Sequence, residues 1–208
     1  MLPGSAMSGH CILIPAAGRS SRMQGRDKLL EVVDGQPLLR RQAMLALATR
    51  YPVLVTLAAD RPARANAVSG LEGLTQMVVP DAAEGISDSI RGGATWAAAQ
   101  GAQGLMILLA DLPELTLDDL KKLLQAAEKE PKSVFRATDA TGKPGHPVIL
   151  PARLFQRLSG LHGDEGAKPV LASEKVVRIA LPGRRATTDL DTPEDWAAWR
   201  ERREKPSP

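Results

Sequence analysis

Aromatic residues are scarce. Trp96, Trp196, Trp199, Tyr51, Phe135 and Phe155 are all that the 208-residue chain carries, 3% of its length. Single-stranded nucleic acids are held largely by stacking bases on aromatic rings, so this composition argues against such a binder. Charge of one sign is equally scarce. The 27 basic side chains stand against 24 acidic ones, a net of +3, which makes no field strong enough to gather nucleic acid or an anionic membrane. The single cysteine, Cys11, excludes an internal disulfide. His10, His146 and His162 lie far apart without paired thiols, so no structural zinc site is legible. The longest apolar run, Leu105 to Ala110, falls far short of the ~20 residues that a membrane-crossing helix needs. The opening segment has neither a basic nor an apolar signal region. These absences predict a soluble protein of a reducing, cytoplasmic compartment, with no nucleic-acid and no membrane partner.

What is present is the material of an ordinary folded domain, 43% hydrophobic and 25% charged. Aliphatic and β-branched runs at Cys11–Ile14, Val53–Ala58, Met77–Val79, Leu105–Ala110, Val134–Ala137 and Val176–Leu181 predict strands. They alternate with segments of helical period at Pro37–Thr49, Ser87–Gln100, Thr116–Glu130, Ala152–Leu161 and Pro193–Arg203. Thr116 and Thr192 each precede acidic residues, as helix N-caps do, and Pro193 sits where a missing N–H costs nothing. The alternation predicts a single-domain α/β fold with a mostly parallel open sheet covered by helices on both faces. The domain is expected over 10–203, with a flexible extension at 1–9 and a frayed tail at 204–208. Trp196 and Trp199, spaced i and i+3 on the last helix, read as packing residues.

The strongest chemical signal follows the first strand. Ala16, Ala17 and Gly18 let backbone N–H groups approach a ligand closely, and Arg19, Ser20, Arg22, Arg26 and Lys28 add donors suited to phosphate oxygens. The loop has neither the Gly-Lys-Ser/Thr of a Walker loop nor a Gly-x-Gly-x-x-Gly. Lys28 leads into Leu29–Val33, read as an extended segment that holds it rigidly, or else it is a solvated partner of Asp27. Asp111 closes the most hydrophobic predicted strand, at the sheet's carboxyl edge where ligands of open α/β folds bind. That is a natural Mg²⁺ position, and equally a plain turn before Pro113. Asp189 and Asp191 alternate ahead of the Thr192 cap, either delivering a second carboxylate to a metal or acceptor site or forming a bare strand-to-helix junction. Ser87 and Ser89 stand in the first turn of a helix, where they meet an anion or nucleobase or merely cap it.

The segment Ala16-Ala17-Gly18-Arg19-Ser20-Ser21-Arg22-Met23, followed by Lys28-Leu29-Leu30, resembles the MobA-like nucleotidyltransferases, and most of all their molybdenum cofactor cytidylyltransferase branch. Gly85-Ile86-Ser87-Asp88-Ser89, Leu109-Ala110-Asp111-Leu112-Pro113, Gly145-His146-Pro147-Val148, His162-Gly163-Asp164-Glu165-Gly166 and Asp189-Leu190-Asp191-Thr192-Pro193 follow in the family's order. Pro15, in place of Leu or Thr, and Gln24, between Met23 and Gly25, depart from it. The resemblance implies a Rossmann-like nucleotidyltransferase fold and a Mg²⁺-dependent transfer of a nucleoside monophosphate to a phosphorylated acceptor, with release of pyrophosphate. It implies that Lys28, Arg22 and Asp111 are catalytic, and that Ala16 to Ser20, Arg22, Lys28, Ser87 and Ser89 bind nucleotide. Asp111 and Asp191 are then metal ligands, and His146, Asp164 and Asp189 border the acceptor. An Ala at position 17 accompanies CTP use in the family and Gly accompanies GTP use, so CTP is expected, with molybdopterin as acceptor. Other readings are a transferase for a sugar phosphate or methylerythritol phosphate, and a non-catalytic carrier delivering cofactor to a molybdenum enzyme. A lone His146 is otherwise a hydrogen-bonded loop residue.

Overall fold

The most aliphatic segments become the middle of a seven-stranded sheet. In the computed structural model, residues 9–79 and 85–204 are described; all but the last residue of the expected N-terminal extension, and the last residues of the tail, lie outside them. Strand β1 (His10–Ala16) lies between β4 (Val53–Ala58) and β6 (Gly104–Ile107), parallel to both, and β5 (Leu74–Val79) adds a parallel edge beside β4. On the other side β8 (Pro144–Pro151) runs antiparallel between β6 and β7 (Val134–Thr138), and β9 (Val176–Ala180) closes that edge parallel to β7. The expected mostly parallel sheet is found, with one reversed strand.

Alternation along the strands makes two cores. Ile12, Ile14, Val53, Val55 and Met106 face α1 (Leu38–Leu47) and α4 (Leu117–Lys129), while Cys11, Leu13, Leu54, Leu105 and Ile107 face α3 (Ile86–Ala99), all of them buried. This two-sided burial explains why the central strands read as unbroken apolar runs rather than alternating ones. A Cβ on Gly93 would stand 2.5 Å from Leu13 Cδ2, so this glycine lets the middle of α3 lie close on the sheet.

Three sequence expectations are corrected. The strand predicted over Leu105–Ala110 ends at Ile107, after which Leu108 N–H reaches Leu13 O at 2.9 Å, and Asp111 falls in the turn beyond rather than at the strand's last residue. The stretch Gly145–Pro147, read as a loop around His146, is the start of β8. Its prolines argue against a central strand, but Val148, Ile149 and Leu150 are buried between both cores, and that burial wins. Leu29–Val33 is not one extended run: Lys28–Leu30 is a 3₁₀ turn with Asp27 accepting from Leu29 N–H at 3.1 Å, and only Val32–Val33 (β2) pairs, with Gln36–Pro37 (β3).

Both expected caps are present. Thr116 and Asp119 form a reciprocal capping box on α4. At α7 (Pro193–Glu204), Asp195 N–H donates to Thr192 Oγ1 while Thr192 N–H donates to Asp195 Oδ2 at 3.0 Å. Trp196 and Trp199 pack edge to face at 5.8 Å and are buried with Met23, Val33, Leu38 and Leu190, as their spacing predicts. This small cluster docks α7 against the β1 loop, so Trp196→Ala should cost about 3–5 kcal/mol in denaturant unfolding. A loss below about 1 kcal/mol, the range of surface substitutions, would show that α7 is not anchored there.

Candidate active site

The loop after β1 is held by what lies under it. Met23, fully buried in the Trp196 cluster, pins the 3₁₀ turn Ser21–Met23, leaving the adjacent Arg22 side chain largely exposed toward the C-terminal segment. Ser20 at φ 50° and Gln24 at φ 51° both take the left-handed conformation, which costs a non-glycine residue roughly 1–2 kcal/mol each. Gln24 is one of the two residues that depart from the pattern noted above, and Gly25 beside it, at φ 86°, continues the left-handed backbone.

What sustains this loop was not legible in the sequence. Arg64, on the short helix α2 (Pro62–Ala67), is fully buried. Its Nη1 donates to the carbonyls of Ala16 and Gly18, each at 2.6 Å, its Nη2 to Ser20 Oγ at 2.9 Å and Asp27 Oδ1 at 2.8 Å, and its Nε to Asp27 Oδ2 at 2.7 Å. Burial alone would raise the Asp27 pKa, but the hydrogen bonds and charge of Arg64 outweigh it and hold the carboxyl below its ordinary value. With its carbonyls turned inward on Arg64, the loop is fixed from behind. No local pattern announces Arg64, which stands between Ala63 and Ala65 with no motif.

In front of the loop is a cavity of about 240 Å³ whose lining includes Ala16, Gly18, Arg19, Ser20, Arg22, Lys28, Ser89, Asp111 and Asp191. Lys28 Nζ sits between Asp111 Oδ2 at 2.6 Å and Asp191 Oδ1 at 2.7 Å, and Arg22 Nη2 meets Asp191 Oδ2 at 2.8 Å. Lys28 is therefore no partner of Asp27. Burial would lower its pKa, yet the two carboxylates raise it overall, so it stays an ammonium at any physiological pH. Leu190 N–H donates to Asp111 O at 3.2 Å, which locks the C-terminal segment beside the turn after β6. Asp111 Oδ1 is buried and has no hydrogen-bond partner among the described residues. A buried carboxylate oxygen aimed at no donor fits a divalent cation, which Asp111 and Asp191 would hold together; phosphate and water oxygens would complete its coordination.

The other expected residues are placed less uniformly. Ala17 does not line this cavity: its side chain is buried with Ala58 and Val79. Ser87 is buried and donates to His162 O at 3.2 Å, outside the cavity, whereas Ser89 borders it. His146, Asp164 and Asp189 gather in neighbouring hollows. His146 and Asp164 share one of about 190 Å³ with Arg136 and Lys168, and His146 and Asp189 share another of the same size. A Cβ on Gly145 would stand 1.9 Å from Ala186 O, so glycine there permits His146 N–H to reach Ala186 O at 2.9 Å and closes this wall. Burial lowers the His146 pKa to about 4, assisted by Arg136, so the ring is neutral near pH 7. Its buried Nδ1 has no partner among the described residues.

The chain is similar in sequence and fold to known proteins. The MobA-like NTP transferase domain matches residues 12–179. The purine catabolism protein PucB of Bacillus subtilis is 29% identical over 191 residues, covering 87% of this chain and 91% of its own. The molybdenum cofactor guanylyltransferase of Rhodobacter capsulatus is 34% identical over 124 residues, 58% of this chain and 60% of its own. The crystal structure of Rv0371c from Mycobacterium tuberculosis superposes with a TM-score of 0.78 at 26% identity, covering 93% of this chain and 98% of that one; the same protein has also been crystallised as a manganese complex.

Removing Arg64 should strike both loop and fold. Arg64→Ala takes from half-buried Asp27 its main partner and leaves Arg61 at 3.9 Å, which should cost about 1.5–3 kcal/mol, and it should weaken nucleotide binding because Arg64 both holds the loop and borders the cavity. Chemical denaturation and calorimetric nucleotide titration check both. Unaltered affinity in a folded Arg64→Lys or Arg64→Ala variant would show that the loop keeps its shape unaided.

Proposed function

The chain belongs to the MobA-like NTP transferase family, and from that premise we propose that this nucleotidyltransferase moves CMP from CTP onto the phosphate of molybdopterin, or of the metallated cofactor, with Mg²⁺ as the working ion. The observation that carries the reading is the Lys28 ammonium clasped by Asp111 and Asp191 in front of the Ala16–Arg22 loop. The acceptor's phosphate oxygen forms the new bond to the α-phosphorus of the triphosphate while the bond to the β-phosphate oxygen breaks, and pyrophosphate carries that electron pair away. A phosphate monoester is already anionic near neutral pH, so no general base is needed. Among the described residues, no Cys or His lines the cavity, in accord with this.

The residues then divide the work by charge and position. The Ala16–Gly18 backbone and Arg19 hold the triphosphate, and Arg22 and Lys28 neutralise charge that shifts toward the leaving oxygens. A Mg²⁺ ion held by Asp111 and Asp191 would supply Lewis-acid stabilisation of phosphate charge. His146, Asp164 and Asp189 face the acceptor side. Ala17 supports cytosine through the loop: its methyl fills the space against Ala58 and Val79, which fixes the backbone where the base edge is read. PucB and the guanylyltransferase, as named, do not decide the base for this chain.

Pyrophosphate release measured with each of the four nucleotides and a panel of phosphorylated acceptors tests the proposal. CTP with molybdopterin should give the highest turnover, and Ala17→Gly should narrow the gap to GTP. A preference for GTP would overturn the cytidylyl reading, and nucleotide or pterin binding without pyrophosphate release would make the chain a carrier.

Lys28→Ala should lower turnover by about 10²–10³, as removal of one electrostatic stabiliser does, with a much smaller loss of nucleotide affinity. Lys28→Arg should rescue only in part, because a planar fork does not occupy the place of a point charge. Asp111→Asn should abolish metal-dependent turnover while leaving the fold intact. Unchanged kcat in either Lys28→Ala or Asp111→Asn removes that residue from the mechanism.

A further inference from the structure

One row of paired positions crosses the sheet from Leu13 through Ile107, Val148 and Arg136 to Arg178. The first three are buried and apolar. The last two are arginines in register on the parallel neighbours β7 and β9, Arg136 half-buried and Arg178 exposed, which puts two like charges side by side. Neither guanidinium forms an ion pair among the described residues; Arg136 Nε donates to Gly145 O at 3.0 Å. Burial first, and the charge of Arg178 second, lower the Arg136 pKa, the sign of a cation in want of an anion. Lys168, at the start of α6 (Lys168–Leu171), lines a cavity of about 250 Å³ with both arginines; among the described residues no carboxylate is in that lining, Asp164 and Glu165 lining the adjoining hollow instead. Arg136 also borders both hollows that contain His146, one of which reaches Asp189. Arg136 thus stands between this cavity and the hollows lined by the residues expected to border the acceptor.

We propose that Arg136, Arg178 and Lys168 form a second anion subsite, which takes a negatively charged group of the acceptor remote from the phosphate that attacks. The acceptor class is thus a small molecule anionic at both ends. A paired guanidinium set suits an oxyanion, which it meets with two parallel N–H donors. This assignment rests on the transferase reading for the identity of the occupant, but not for the existence of the subsite.

The test uses inorganic sulfate as the probe, with the loop at Ala16–Arg22 first saturated by Mg²⁺ and a CTP analogue that cannot release pyrophosphate. Arginine side-chain NMR should show saturable shifts at Arg136 and Arg178. Arg178→Ala and Lys168→Ala should each weaken sulfate binding about tenfold, the effect of one charge-assisted hydrogen bond, with nucleotide affinity unchanged. In turnover with whichever acceptor releases pyrophosphate, Arg178→Ala should raise the acceptor KM and leave kcat in place. Sulfate that leaves these resonances still, or binds both variants as it binds the wild type, overturns the subsite. An unchanged acceptor KM overturns its role in acceptor recognition. A wild type that neither binds CTP nor releases pyrophosphate instead overturns the transferase reading, and the sulfate titration still decides the subsite.

Discussion

The Lys28 ammonium between Asp111 and Asp191 is the contact on which the arrangement of this molecule turns. It joins segments 83 and 163 residues away from Lys28, and Arg22 extends it from the same loop. Its worth is geometric rather than energetic. Partly buried charges pay desolvation that their attraction roughly offsets, and apolar replacements of similar volume are often as stable. The fold has two large apolar cores to hold it, so the ion cluster is best understood as the means of placing two cations and two carboxylates around one hollow.

That placement needs support from behind, and the support is unusually concentrated. Arg64 turns the carbonyls of Ala16 and Gly18 inward, Met23 plugs the turn into the Trp196 cluster, and the Thr192–Asp195 cap fixes the residue after Asp191. A loop with two non-glycine residues in the left-handed region persists only where its surroundings over-determine it. Strain of this kind is common at ligand-binding loops, and here each strained residue has an identifiable restraint beside it.

The two-sided α/β sheet was legible because burial on both faces writes itself as unbroken aliphatic runs, and the caps because Thr-x-x-Asp is a local code. The β1 loop and Asp111 were legible as motif and position. Three things were not. Arg64 and the Arg136–Arg178 pair act through contacts between distant segments, which leave no local pattern. Strand β8 was hidden by Pro144, Pro147 and Pro151, whose local cost is overridden by the burial of Val148–Leu150. Ser87, read as meeting a ligand or merely capping its helix, donates to His162 O, and the Ala17 side chain is buried with Ala58 and Val79; a short side chain in a first turn or loop gives no sign of which way it faces.

The central claim is that the hollow in front of the Ala16–Arg22 loop holds a nucleoside triphosphate and a divalent cation at Asp111. Anomalous diffraction from crystals soaked with Mn²⁺ and a CTP analogue that cannot release pyrophosphate tests it most directly. The account predicts one strong anomalous peak within bonding distance of Asp111 Oδ1, with the α-phosphate between that peak and the Ala16–Gly18 backbone. A peak elsewhere in the molecule, or a nucleotide seated away from Lys28, would contradict it.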